Sequence, residues 1–271
     1  MTFSFGDPTT GLYGLARLGL AAAGASALAV LFSGREPVAA LAHGGIEVAA
    51  DACFSDLDLP GLHATIEEPL REWTVRFDDG AHGFDLTFEA TGPTAEVEPS
   101  EPAARAGGMT GYVQLCHVHG SVRVGGRAVE LRGLGQRGHD WGEPDWDRIG
   151  STRTLAAWLD DGTGVAVCSV RPAGAASHEE EATWAALLGA AGSLRVDAPR
   201  LSTTYDEDGR QRRAGLELWV GEDDDYPRRA AGDVVCGSTL DLGQLRLDCA
   251  FLRWRMDGRS GIGRYDVLRR A

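Results

Sequence analysis

The stretch "REWTVRFDDGAHGFDLTFEA" (Arg71–Ala90) holds two alternating runs joined by a turn. In the first, Trp73, Val75 and Phe77 alternate with Thr74, Arg76 and Asp78. In the second, Phe84, Leu86 and Phe88 share one parity. Side chains of a strand point to opposite faces with a period of two, so each run buries one face and wets the other. Asp79-Gly80 supplies turn chemistry between them. The segment is therefore expected to be a half-buried β-hairpin.

The same grammar extends outward. "SALAVLF" (Ser26–Phe32), the turn "SGRE" and "PVAALA" read as a hairpin. Two further runs, "MTGYVQLCHVHGSVRV" and "RAVELRGLG", flank a turn at Gly125-Gly126. "TRTLAAWL" and "TGVAVCSVRP" flank Asp161-Gly162, and "RLSTTY" and "RQRRAGLELWV" flank Asp208-Gly209. "GQLRLDCAFLRWRMDGRSGIGRYDVLRR" alternates to the end. "TAEVEPSEPAARAGG" (Thr94–Gly108) reads as a surface loop, and Ala176–Leu188 stays open between helix, strand and loop. Long amphipathic helical patterns are absent, which favours an antiparallel barrel or sandwich over an α/β fold. A faint echo joins Trp73…Asp79-Gly80…Phe84-Asp85-Leu86 to Trp254…Asp257-Gly258…Tyr265-Asp266-Val267, as two barrels of related design would give.

The chain has 271 residues, enough for one large all-β domain or two small ones. Its net charge is −14 and all its basic residues are Arg. That balance argues against nucleic acid and anionic membrane surfaces, which require a positive footprint. Five scattered cysteines without a CxxC give neither a disulfide framework nor a structural zinc site, so a reduced, cytoplasmic protein is expected. The apolar run Leu18–Phe32 is shorter than the ~20 residues of a membrane span and lacks the flanks of a signal peptide, so it is expected to be a buried strand.

The densest constellation is "GLGQRGHDWGEPDW" (Gly133–Trp146). One reading is structural: glycines turn the chain between two sheets, Arg137 pairs with Asp140 or Asp145, and Trp141 and Trp146 plug the barrel ends. The other is chemical: a carboxyl or imidazole held against indoles is partly desolvated, and the indole faces can steady a developing cation. Trp158 and Asp160 stand two apart before a turn, either as strand-end chemistry or as an indole and a carboxyl facing one cavity. His117 and His119 share a strand face; a solvated face is the simpler reading than a metal pair, since no third ligand is evident. No GxSxG elbow, P-loop or HExxH is present.

The pattern formed by Gly133, Gly135, Arg137, His139, Trp141, Gly142, Asp145 and Trp146 resembles that of the carotenoid 1,2-hydratase (hydroxyneurosporene synthase)-like group, as does the tail "FLRWRMDGRSGIGRYDV". That group belongs to a lipocalin-like superfamily which also includes fungal Diels–Alderases. The resemblance implies an all-β chain of two tandem antiparallel lipocalin-like barrels or sandwiches with little helix, divided as 1–130 and 131–271. It implies His139 and Asp160 as catalytic residues and Trp141 and Trp158 as substrate-binding ones; from the same motif, Asp140 is a further catalytic candidate and Arg137 a further substrate-binding one. Asp160 would protonate an alkene or polarise a carbonyl, His139 would orient or activate water, and the indoles would hold an apolar substrate. No metal or organic cofactor is needed for that chemistry. Gly138, Asp140 and Pro144 replace the Asp, Ser and Arg common in the group and alter the charge beside His139. The expected partner is thus a hydrophobic polyene, terpenoid or polyketide, hydrated or cyclised. A non-catalytic binder of a lipophilic molecule and a purely structural role are the alternatives, and no oligomeric state follows from the sequence.

Overall fold

The structure is a computed structural model describing residues 1–160, 162–221 and 226–271. Asp161, half of the expected Asp161-Gly162 turn, lies outside the described residues.

The first sheet contains β1 (Thr2–Asp7), β2 (Leu12–Ala21), β3 (Gly24–Ser33), β4 (Glu36–Ile46), β5 (Asp56–Leu59), β6 (Leu62–Glu68), β7 (Glu72–Asp78), β8 (Gly83–Ala90), β9 (Ala95–Val97), β10 (Met109–Val124) and β11 (Arg127–Gly142). Its order is β4-β3-β2-β1-β11-β10-β8-β7-β6-β5, with β9 on β10. The second contains β12 (Ile149–Leu159), β13 (Gly164–Pro172), β14 (Ala182–Gly189), β15 (Gly192–Arg195), β16 (Ala198–Tyr205), β17 (Gln211–Trp219), β18 (Arg228–Asp241), β19 (Leu245–Met256) and β20 (Arg259–Arg270). Its order is β15-β14-β13-β12-β20-β19-β18-β17-β16. The expected all-β, antiparallel fold is what the chain adopts.

The chain forms two compact units, Met1–Thr91 with Gln114–His139, and Gly92–Val113 with Asp140–Ala271. The sequence reading sets a single cut at 130, whereas β10 and β11, of sixteen residues each, both cross from one unit to the other.

In the first unit the sheet curls until β3 meets β5 and β6. The hairpin of the opening stretch is β7–β8, with Trp73 opposite Phe88 and Phe77 opposite Phe84. Phe3 meets Phe88 edge-on at 5.2 Å, and Phe5 meets Phe84 in the same way. Two glycines make room for these rings. Phe5 is paired with Gly14 on β2 and with Gly135 on β11. A Cβ at Gly14 would lie 2.4 Å from the Phe5 ring; one at Gly135 would lie 2.4 Å from the Ser4 carbonyl oxygen and 2.6 Å from Val118 Cγ2.

In the second unit Leu155, Ala157, Leu159, Leu252, Trp254 and Tyr265 face one core. β14 lies against β16, and Asp197 N–H donates to the Trp219 carbonyl, so the ends of the sheet approach each other. Trp73 and Trp254, the anchors of the faint internal echo, are each buried in the core of their own unit.

Three expectations change. The run Leu18–Phe32 is a β2–β3 hairpin turning at Ala22 and Ala23, not one strand. Thr94–Gly108 is ordered: β9 is followed by a helix, α1 (Pro102–Gly107), whose Ala103 and Ala104 are buried. Pro at the helix start and left-handed Gly108 at its end are helix punctuation that also reads as loop. α1 packs on β13 and β14, and Arg195 grips Glu101 through two bonds of 2.7 and 2.8 Å. The third concerns Gly133–Trp146, read as a turn-rich crossing between two sheets, in the part Gly133–Gly142. That part is continuous strand, and Gly133 and Gly135 serve close packing within the sheet.

Gly135→Ala should therefore destabilise the fold by about 1–3 kcal/mol through overpacking. Urea denaturation checks this, and an unchanged midpoint would show that Val118 and Ser4 can yield.

Candidate functional site

Alternation along β11 decides which motif residues look inward. Gly135, Arg137 and His139 share one parity, and Gly135 faces Val118 and Phe88. Arg137 follows on the core face and is buried to 1% exposure. Its guanidinium lies 3.5 Å from the centre of the Trp73 ring. Its Nε donates to Gln114 Oε1 at 3.1 Å, and Gln114 Nε2 donates to the Leu70 carbonyl at 3.1 Å. Leu70 has a φ of 61°, in the left-handed region that a non-glycine residue rarely adopts. Burying a guanidinium costs several kcal/mol, which ring stacking and charge-assisted hydrogen bonds offset. The expected partner of Arg137 was a carboxylate, Asp140 or Asp145. Within the first unit, the ring of Trp73 and the Gln114 amide are among its contacts.

His139 is half-buried, two residues beyond Arg137 and edge-on to Phe54 at 4.8 Å. Burial, then the positive charges of the Met1 ammonium and Arg137, lower its pKa to about 4. The imidazole is therefore neutral near pH 7. Cys53, beside Phe54, is exposed, and its Sγ lies 2.7 Å from Ser55 Oγ; that hydrogen bond lowers the thiol pKa. Cys116, on β10, is buried, which pushes its thiol up to about 12.

The remaining motif residues belong to the second unit. Asp140 is exposed, and its charge adds to the burial that raises the Cys168 thiol to about 12. Trp141 is half-exposed, edge-on to Tyr112 at 6.1 Å, so it does not plug a barrel. Asp145 is exposed and accepts from the Asp147 N–H at 3.0 Å, a local turn bond. Trp146 is only half-buried, so Trp146→Ala is expected to cost less than the ~3–5 kcal/mol of a fully buried aromatic.

Trp158 and Asp160 lie at the end of β12 in different surroundings. Trp158 is 1% exposed and packs at 6.5 Å against Phe251, on the face of β12 opposite Leu155, Ala157 and Leu159. Asp160 is exposed, and its Oδ2 accepts from the Ser260 N–H at 3.4 Å. A bond of this kind is one that an Asp beside a turn commonly makes.

Near Trp158 the sequence reading overlooked a polar pair. Arg264 and Asp266 on β20 approach to 3.4 Å and are 6% and 2% exposed. They flank Phe251 and Cys249 through the β19–β20 register, on the face turned away from the second core. The signal for them is "GRYDV", where Arg264 and Asp266 alternate with the core residues Tyr265 and Val267. An Arg–Asp pair at that spacing, on a strand whose other face is already buried, places two charged groups where each needs a partner if it is buried too.

His117 and His119 are exposed on β10, in a shallow groove with Glu89 and Arg132. Among the described residues no group of three potential metal ligands occurs. Among those residues, too, no helix is long and apolar enough to cross a membrane.

The depressed His139 pKa carries a stability signature. A base that protonates more easily unfolded than folded loses stabilising effect as pH falls from about 6.5 to about 4. Its contribution is complete above that window and constant below it. His139→Gln should flatten this part of a stability–pH curve from urea melts; an unaltered slope would show that His139 is not desolvated.

Comparison with curated protein sequences finds no match. Solved structures do match. Kievitone hydratase from Nectria haematococca superposes with a TM-score of 0.71 at 12% identity, covering 99% of this chain and 88% of that one. A protein described as AttH, from Nitrosomonas europaea, gives 0.71 at 14% identity, covering 98% and 90%. CghA bound to Sch210972 gives 0.64 at 13% identity, covering 100% and 88%. At such identity the likeness is one of fold. The sequence itself matches a family model along its whole length, residues 1–271, and the chain belongs to that family, described as "Domain of unknown function (DUF7064)".

Proposed function

We propose that the protein is a cofactor-independent enzyme that hydrates or cyclises a hydrophobic polyene, terpenoid or polyketide. The observation that carries this reading is the inward face of β11, where a buried guanidinium and a neutral imidazole stand among aromatic rings. A neutral imidazole can take a proton from water as its oxygen attacks carbon. A nearby guanidinium favours negative charge growing on oxygen and disfavours a bare carbocation. The charge at Arg137 thus supports a substrate whose reacting alkene is conjugated to a carbonyl. Water adds its oxygen to the far alkene carbon, the π electrons move to the carbonyl oxygen, and a proton then returns to the carbon next to the carbonyl. Two neighbours of the same fold are consistent with the class: one is named a hydratase, and another holds a small molecule, Sch210972.

Trp141 and Trp158 remain the proposed apolar contacts. The proton donor has three candidates. Asp160 is the one implied by the family pattern, with Asp140 beside His139. Asp266 is the buried one. The exposure of Asp160 favours the second reading, a binder without an inward acid at that position.

Incubation with conjugated enones and polyene extracts, followed by mass spectrometry, tests the proposal. A product heavier by one water, or an isomer with one ring more, is expected, and His139→Gln should lower turnover by roughly 10²–10⁴-fold. Asp160→Asn should abolish turnover with little change in melting temperature. Full activity in Asp160→Asn together with loss in Asp266→Asn would move the acid to Asp266. Recovery of a tightly held, chemically unaltered ligand would mean a binder.

A further inference from the structure

Away from the motif, one end of the second unit holds a cavity of about 430 Å³ lined by Arg153, Arg171, Arg269, His178, Tyr205 and Val267 among others. That volume suits a small molecule. Three guanidiniums around one cavity are notable in a chain of net charge −14.

Two of the three are already met. Arg153 is buried at the end of the second core, where it contacts Glu181 and donates from Nη1 to Thr203 Oγ1 at 3.2 Å. Glu181 also takes His178 Nδ1 at 2.6 Å and the Ser169 hydroxyl at 2.6 Å. Arg269 donates to Asp248 Oδ2 at 2.7 Å, and Asp248 is shared with Arg246 at 3.1 Å. Arg171 differs. It is half-buried, and its Nη2 donates to the Ala175 carbonyl at 2.8 Å. No carboxylate lies within ion-pair distance of it among the described residues. The three guanidiniums that line the cavity, of Arg153, Arg171 and Arg269, therefore have two carboxylate partners between them among the described residues, Glu181 and Asp248, a surplus of one. The fold fixes this surplus, because the paired arginines hold the wall rigid and Arg171 keeps donors to spare.

We propose that this cavity binds a small organic carboxylate: Arg171 takes the carboxylate, and Tyr205 and Val267 receive the apolar body. The site lies wholly within the second unit and is independent of the chemistry proposed for His139.

Calorimetric titration of the full chain with benzoate, phenyl phosphate and benzyl alcohol tests it. Benzoate should bind at least about tenfold more tightly than benzyl alcohol, and Arg171→Met should remove that preference while sparing the melting temperature. Equal affinity for benzoate and benzyl alcohol, or undiminished benzoate binding by Arg171→Met, would overturn the proposal. Phenyl phosphate binding about tenfold more tightly than benzoate would overturn the carboxylate assignment in favour of a phosphate ester. Should Arg171→Met fail to fold, phenylglyoxal modification of Arg171 in the unaltered protein serves instead. Benzoate should slow it, and a rate indifferent to benzoate would sink the idea.

Discussion

A guanidinium taken out of water must find its charge and its donors answered inside the protein, and Arg137 imposes that demand on the first unit. Trp73 on β7 answers the charge, and Gln114 on β10 answers the Nε. Gln114 in turn fixes the carbonyl of Leu70, just before β7. β7 and the β10–β11 hairpin, which are distant in sequence, are thereby held together at the end of an aromatic core. The glycine two residues earlier lets this happen, since a side chain at Gly135 would push β11 away from β1 and β10. His139 inherits its environment from the same arrangement. It stands one step further along the same face, where burial first, and then the Met1 ammonium and Arg137, hold it neutral.

The second unit repeats the device with different chemistry. Arg153 also lies on the core face of its strand at one end of the core, but it is met by Glu181 and Thr203 in place of a ring. Thr203 carries on to the buried hydroxyl of Tyr265 at 2.6 Å. The first unit therefore presents a cation among aromatics, and the second a polar network opening on a cavity. One fold, used twice, has been given two distinct interiors.

Much of the fold was legible because strand alternation and turn dipeptides are local. β7–β8, β10–β11 and β16–β17 fall where Asp-Gly or Gly-Gly turns separate alternating runs. The turn between β2 and β3 escaped because Ala22 and Ala23 carry no turn signal. The glycines of the motif misled for a related reason: in sequence, a glycine that turns a chain looks the same as one that admits a neighbour. Of the candidate site, Arg137 and His139 could be picked out by residue type and spacing, but the indole that receives Arg137 lies 64 positions away in sequence. Arg264 and Asp266 were hidden because alternation assigns one face of β20 to the core and, by default, the other to solvent, whereas both are buried.

The contrast among the thiols has a practical consequence. Cys116, Cys168 and Cys236 are held near 12 by burial, while Cys53 is exposed and its thiolate is favoured by Ser55. A maleimide or a spin label at neutral pH would accordingly react first at Cys53. That residue adjoins Phe54, the ring against His139. The molecule thus carries its own attachment point for a reporter next to the imidazole, one that needs no engineered cysteine and would register a ligand entering there by a change in fluorescence or label mobility.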